Sequence, residues 1–295
     1  MRETLLTIGL DGGATRCRAR ARDPAGVKRA EALGGAANIH VDFDEAIQVL
    51  HSLVAEILRK AGIADTARVA VGFGLAGLND YDDAGRIEDA FRGFALARAA
   101  NDATTACIGA HKGADGGLII AGTGSAAIAR VGGRETIVGG RGFTLGDGGS
   151  GSHIGLAAMR ATTLAYDQLG PSSRLTRECL EAFGGDIVGL LKWARSARPG
   201  DFGAVAPRVF ERAAECDPVA LTIVASAARA IEDLARRVFA LGAERIALVG
   251  GVGESLRRSI EPDIEEKLIR PIYDAADGAI LLAGGAVAQE ELSVP

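Results

Sequence analysis

The sequence predicts an α/β protein made of two similar domains, and three Gly-punctuated stretches predict it. The first, "TIGLDGGATRCRARARD" from Thr7, sets a short apolar run against Asp11-Gly12-Gly13, then alternates Arg16, Arg18, Arg20 and Arg22 with Cys17, Ala19 and Ala21. Period-two alternation marks a half-buried strand, so the glycines turn one strand back into another. The second, "GLIIAGTGSAAIARVGGRETIVGG" from Gly117, repeats strand, Gly turn, strand, Gly-Gly turn, strand. Two copies of one β-β-β unit roughly a hundred residues apart imply a duplicated domain. The third, "RIALVGGVGESL" from Arg245, is a strand and Gly turn followed by a helix starting near Glu254.

The remaining elements fall between these. Asp23-Pro24-Ala25-Gly26 is a turn, and Val27 to Leu33 a third strand. Asp42 to Ala61 reads as a helix: Asp42 and Glu45 form a capping box, Ile47, Leu50, Val54, Ile57 and Leu58 make its apolar face, and Gly62 stops it. A strand runs from Arg68 into a Gly loop, a helix covers the segment from Asp82, and the segment from Ala95 goes strand, loop, helix, with Asn101-Asp102 at the strand's end. Helices fill the chain out to Gly242, the longest from about Asp217 to Leu241, and Gly278 to Glu291 reads as an apolar helix. The expected domains are 1–115 with 278–295, and 116–277.

Composition narrows the function classes. A net charge of −5 gives no basic footprint for nucleic acid. Cys17, Cys107, Cys179 and Cys216 are scattered with no C-x-x-C pair, which argues against a disulfide framework or zinc site and fits a reducing cytoplasm. There is no apolar leader at the N-terminus, and the stretch from Gly278 is too short to span a bilayer. His40, His51, His111 and His153 share no ligand spacing; His51 inside its helix and Trp193, the single tryptophan, read as structural.

Neither the P-loop pattern nor a helix-opening G-x-G-x-x-G occurs. Two strand-turn-strand loops and one strand-turn-helix loop instead resemble the sugar kinase and actin superfamily. That resemblance implies two RNase H-like (actin-like ATPase) domains with a cleft between them, holding ATP. Gly12, Gly13, Thr15 and Arg16 would meet phosphate from one hairpin, and Thr123, Gly124 and Ser125 from the other, because glycine lets backbone N–H groups approach closely. Asp102, at a strand's C-terminal end, is the candidate base for phosphoryl transfer, and N-capping the following helix is the bland alternative. Asp11 would hold Mg²⁺ through water, or fix its own turn. The other alternating arginines read as a solvated strand face.

"GLDGGATRCRARARDPAG", "NDATTACIGAHKG", "IIAGTGSAAIAR" and "GGRGFTLGDGGSGSHIG" together resemble the N-acetylglucosamine and glucosamine kinases of the BadF/BadG/BcrA/BcrD ATPase family. The resemblance covers most of the chain and is weakest between about Leu169 and Ala243. It implies phosphorylation of an amino sugar at its 6-hydroxyl by a cytoplasmic homodimer. Asp102 matches the family's catalytic Asp, Asn38 the Asn that binds sugar hydroxyls, and Thr15 the phosphate-contacting Thr. Thr123 and Gly124 fall between sugar and phosphate, Gly142 and Asp147 in the sugar loop, and Gly250, Gly251 and Gly253 beside the adenosine. Three positions depart from the family's G-G-W-G and G-D-E-G-S: Arg141 for the Trp, Gly149 for the Glu, and His153 where an aromatic is frequent. An Arg there could favour an anionic substituent or simply face solvent. An ATPase activator with a cysteine-held iron–sulfur cluster, and a non-catalytic sugar sensor, are the competing readings; no cysteine suits the first.

Overall fold

The computed structural model describes residues 3–13, 16–37, 39, 42–78 and 81–288. The chain divides into two units, Met1–Gly116 with Pro271–Pro295, and Gly117–Arg270. The first opens with the meander expected from the Gly turns: β1 (Leu6–Gly12), β2 (Cys17–Arg22) and β3 (Lys28–Gly34). It continues through α1 (Phe43–Ala61), β4 (Val69–Leu75), α2 (Tyr81–Ala90), β5 (Leu96–Asn101) and α3 (Asp102–Ala110). The sheet order is β3-β2-β1-β4-β5, with β1, β4 and β5 parallel. Strands buried on both faces read as continuous small and apolar runs, as β1 and β4 do.

α1 has the N-cap expected of Asp42, which accepts from the Glu45 amide at 2.9 Å, but not the reciprocal Glu45 bond of a full capping box; Gly62 ends the helix in the left-handed region at φ 67°. Its buried face is Ala46, Leu50, Leu53, Val54 and Ile57. His51 stacks on Phe91 at 4.2 Å, the packing role expected of it.

The second unit repeats the plan with β6 (Gly116–Ala121), β7 (Ser125–Val131) and β8 (Arg134–Gly139). A helical layer follows: α4 (Gly142–Leu145), α5 (Gly151–Tyr166), α6 (Arg174–Glu181), α7 (Ile187–Ala194), α8 (Pro199–Gly203), α9 (Ala206–Ala214) and α10 (Pro218–Ala240). Then come β9 (Ile246–Val249), α11 (Gly251–Leu256), α12 (Pro262–Glu265) and β10 (Leu268–Ile269). The order β10-β9-β6-β7-β8 is the same permutation as in the first unit, so the duplication read from the Gly turns extends to sheet topology. Trp193 packs between Phe183 and Phe202. α11 starts at Gly251, three residues before the expected Glu254, because Gly250 with φ 97° makes the turn.

α13 (Ala275–Leu282) belongs to the first unit. It starts three residues before the expected Gly278 and ends at Leu282, with Gly284 at φ 77° beyond it. It lies flush on the sheet. A Cβ on Gly9 or Gly72 would collide with the carbonyls of Ala276 or Ala279, and one on Gly278 with the Thr105 carbonyl of α3.

Charge fixes α13 as well, which corrects the reading of the arginines as a solvated face. Arg22 is 3% exposed and forks both oxygens of Asp277 at 2.7 and 2.8 Å. Arg20 reaches Asp274 and Glu31, each at 2.9 Å, and Asp277 at 2.8 Å, while Arg18 reaches Asp274 at 3.2 Å. Alternation placed these side chains on one face, but it does not reveal whether water or a helix covers that face. Here the cover is an apolar helix from the far end of the chain, with Asp274 at its N-cap and Asp277 in its first turn.

Candidate active site

In the first unit, the parallel strands bring two predicted carboxylates to one edge of the sheet. Asp11 pairs in register with Gly74 of β4, and Gly74 with Ala100 of β5, one residue short of Asn101. Asp102 is the first residue of α3, directly after β5, with no intervening loop. C-terminal strand ends are where open α/β sheets bind ligands.

Asp102 is not the residue that caps α3. Asn101 does that with extended backbone (φ −61°, ψ 148°), its side chain accepting from the Ala103 amide at 2.9 Å. Asp102 Oδ1 also accepts from that amide at 2.8 Å. Burial pushes the Asp102 carboxyl above the ordinary carboxylate range, against the pull of the Ala103 amide. Asp11 is raised too, first by burial, then by the charges of Asp102 and Asp274, while Arg18 and Arg16 pull it back. Two largely buried carboxylates, with the charge of Asp102 acting on Asp11, are a place where a cation is favoured. Among the described residues, no group of three or more His, Cys, Asp or Glu could hold a metal by protein ligands alone. One or two carboxylates completed by water and phosphate oxygens is the donor set Mg²⁺ prefers, so these residues fit it.

The first hairpin is closed by the Gly13 amide donating to Arg16 O at 3.0 Å, and Arg16 is exposed beside it. Cys17, buried under the turn, has its thiol pushed up to about 11 by burial, so it is no nucleophile. Thr15 and Asn38 lie outside the described residues.

In the second unit, β6 and β9 are parallel neighbours, Ile120 opposite Val249. The loops that follow them, Gly122–Ser125 and Gly250–Gly253, therefore lie side by side at the same sheet edge. Thr123 is exposed, whereas the Ser125 side chain is turned inward, donating to Gly148 O at 2.8 Å. Asp147 holds a left-handed backbone at φ 60°, and its Oδ2 lies 3.0 Å from where a Cβ on Gly124 would stand. A Cβ there would make the carboxylate give way by a few tenths of an ångström. Gly142 opens α4, with Arg141 exposed before it. His153 Nε2 lies 2.8 Å from Phe143 O and its ring meets the Phe143 edge, so it anchors α4 on α5.

The sequence pattern of the BadF/BadG/BcrA/BcrD ATPase family matches residues 8–283. The chain belongs to that family. Among curated relatives, glucosamine kinase GspK of Vibrio cholerae is 34% identical over 279 residues, covering 94% of this chain and 95% of that protein. An N-acetyl-D-glucosamine kinase of Dictyostelium discoideum is 30% identical over 92% of both chains. A solved structure from Chromobacterium violaceum, described as a candidate N-acetylglucosamine kinase, superposes with a TM-score of 0.82 at 34% identity, covering 95% of this chain and 99% of that one. A ROK family glucokinase from Streptomyces griseus shares the fold, with a TM-score of 0.53 at 18% identity over 95% and 98% of the two chains. This BadF-family chain thus has the two-domain actin-like ATPase fold expected of it. No helix among its described residues is long and apolar enough to cross a membrane.

One family departure was misplaced. Counted from Gly146-Asp147, the Glu of G-D-E-G-S falls on Gly148, and Gly149 is the motif's own glycine. The structure shows why it must be: Gly149 has φ 79°, and a Cβ there would lie 2.7 Å from Ala227 O. Sequence reading also passed over Ser152, whose hydroxyl reaches Thr123 O at 2.6 Å. A serine inside "GSGSHIG" carries no sign of which way it points.

Proposed function

We propose that the protein is an ATP-dependent kinase that phosphorylates glucosamine or N-acetylglucosamine at the 6-hydroxyl. The observation that carries this reading is Asp102 at the head of α3, its carboxyl raised above the ordinary carboxylate range by burial, with capping supplied by Asn101. The names of the relatives at 30–34% identity support an amino sugar as acceptor.

In this reading the 6-hydroxyl oxygen forms a bond to the γ-phosphorus of ATP as the bond from phosphorus to the ADP oxygen breaks. Asp102 orients the hydroxyl and takes its proton. A raised pKa suits that task, because a base is most effective when its pKa lies nearer the working pH. Gly12, Gly13, Thr15 and Arg16 of the first hairpin meet phosphate oxygens, as do Thr123, Gly124 and the Ser125 backbone of the second. Gly250, Gly251 and Gly253 lie beside the adenosine. Asn38, Gly142 and Asp147 bind the sugar. Asp11 would hold Mg²⁺, which when bound neutralises charge on the transferring phosphoryl group. The protein acts in the cytoplasm as a homodimer.

A coupled ADP-release screen over glucosamine, N-acetylglucosamine, N-acetylmuramic acid, glucose and N-acetylmannosamine tests this. Turnover highest on glucosamine or N-acetylglucosamine is expected, with the product's phosphate on O6 by NMR. Turnover on none of the sugars would refute it. Light scattering in solution checks the dimer.

A further inference from the structure

The loop assigned to phosphate and the loop that carries the sugar carboxylate are fastened to each other. Gly122–Ser125 is the phosphate loop, in which Thr123 and Gly124 also border the sugar, and Gly146–Ser152 leads from the sugar carboxylate Asp147 into α5. Ser152 grips Thr123 O twice, with its hydroxyl at 2.6 Å and its amide at 3.2 Å. The neighbouring Gly151 amide donates to Gly122 O at 2.8 Å. Ser150 Oγ lies 3.1 Å from Ser152 Oγ, and both side chains are fully buried. On the other side, Ser125 Oγ donates to Gly148 O at 2.8 Å, one residue after Asp147. The Asp147 carboxylate packs against Gly124 itself.

A helix end ordinarily satisfies its first amides with its own cap or with water. α5 gives two of them to the carbonyls of another loop, and Ser150 caps the third, at His153. The Ser125, Ser150 and Ser152 side chains that make these bonds are buried, so they do not readily exchange them for water. A shift of Asp147 on taking up a sugar therefore carries Gly148, and with it Ser125 and Thr123.

We propose that Ser152 and Ser125 are positioning residues that join the sugar loop to the phosphate loop, so that amino sugar and nucleotide bind with positive coupling. This rests on the kinase reading above. Coupling between two ligands is reciprocal: if the sugar tightens the nucleotide by some factor, the nucleotide tightens the sugar by the same factor. A factor of about five or more is the usual scale of such coupling.

The test is equilibrium binding by calorimetry on the full chain, with a non-hydrolysable ATP analogue measured with and without saturating glucosamine and N-acetylglucosamine, and the reverse. The wild type is expected to show the same factor in both directions. Ser152→Ala is expected to bring the factor towards one. Ser125→Ala, which cuts the other tie, is expected to do the same and keeps the test alive if Ser152→Ala does not fold. A purely structural role would lower Tm and leave the factor intact, and that result would overturn the inference. A wild type that turns over an amino sugar yet binds the two ligands independently would also overturn it, while leaving the kinase reading standing. A wild type that turns over no amino sugar would refute the kinase reading and the inference with it.

Discussion

Asp102→Asn separates a base from a structural carboxylate, because the two roles predict opposite results. The substitution keeps the shape of the side chain and removes its charge. α3 keeps its cap, since Asn101 supplies it. The carboxyl it replaces sits with its pKa raised above the ordinary 3.8 by burial, so the folded protein takes up that proton more readily than the unfolded chain. Such a group contributes most to stability at acid pH, and the contribution is lost as pH rises through its raised pKa. Asn imitates the protonated form at every pH and relieves the repulsion on Asp11. The variant should therefore melt at or above the wild-type temperature at pH 7. Its turnover should fall by about 10²–10⁴, the worth of a positioned base. At 1.36 kcal/mol per decade, that is about 2.7–5.4 kcal/mol of barrier. ADP release on the best sugar, thermal melting at pH 7, and the acid limb of kcat/KM in the wild type are the assays. That limb should have its midpoint above the usual carboxylate range, because Asp102 works only when ionised. A variant with near-wild-type turnover would refute the base, and one with a clearly lower Tm would refute the assignment of the cap to Asn101.

Asp277→Ala leaves Arg22 buried without the carboxylate it forks, which should cost about 3–5 kcal/mol in urea unfolding. Gly149→Ala should lower Tm, because it forces a side chain into a left-handed position against Ala227 O, whereas Gly148→Ala, with only the Ala230 Cβ at 3.2 Å, should be much milder. Arg141→Trp should change kcat/KM by less than about twofold for every sugar, the scale of a surface substitution, since Arg141 is exposed. A strong preference for an acidic sugar that Arg141→Ala abolishes would reverse that expectation.

The layout of the sheets was legible because it depends on local signals. Period-two alternation, Gly turns and the Asp42 cap each act within a few residues, and each has its counterpart in the structure. The position of Asp102 was legible for the same reason: it stands at a strand's end, next to the Asn that caps α3. What escaped were partners chosen over long distances. Arg18, Arg20 and Arg22 give no sign that Asp274 and Asp277, more than 250 positions away, will cover them. The same holds for Ser152, whose grip on Thr123 joins segments 29 residues apart. The misplaced Glu position came from counting along a run of glycines, where only backbone geometry tells one from the next.

The return of α13 has a consequence for the order in which the protein comes together. The second unit is an unbroken run of chain, so it can close on itself as soon as it has been made. The first unit is split around it, and its sheet stays uncovered over Gly9 and Gly72 until α13 is synthesised. Arg20 and Arg22 wait on a separation of 254–255 residues for their acidic partners. Closing so long a loop is entropically dear if the intervening chain is unfolded, and much cheaper once a folded insert brings its two ends together. The half of the molecule made first is thus the half whose sheet is covered last.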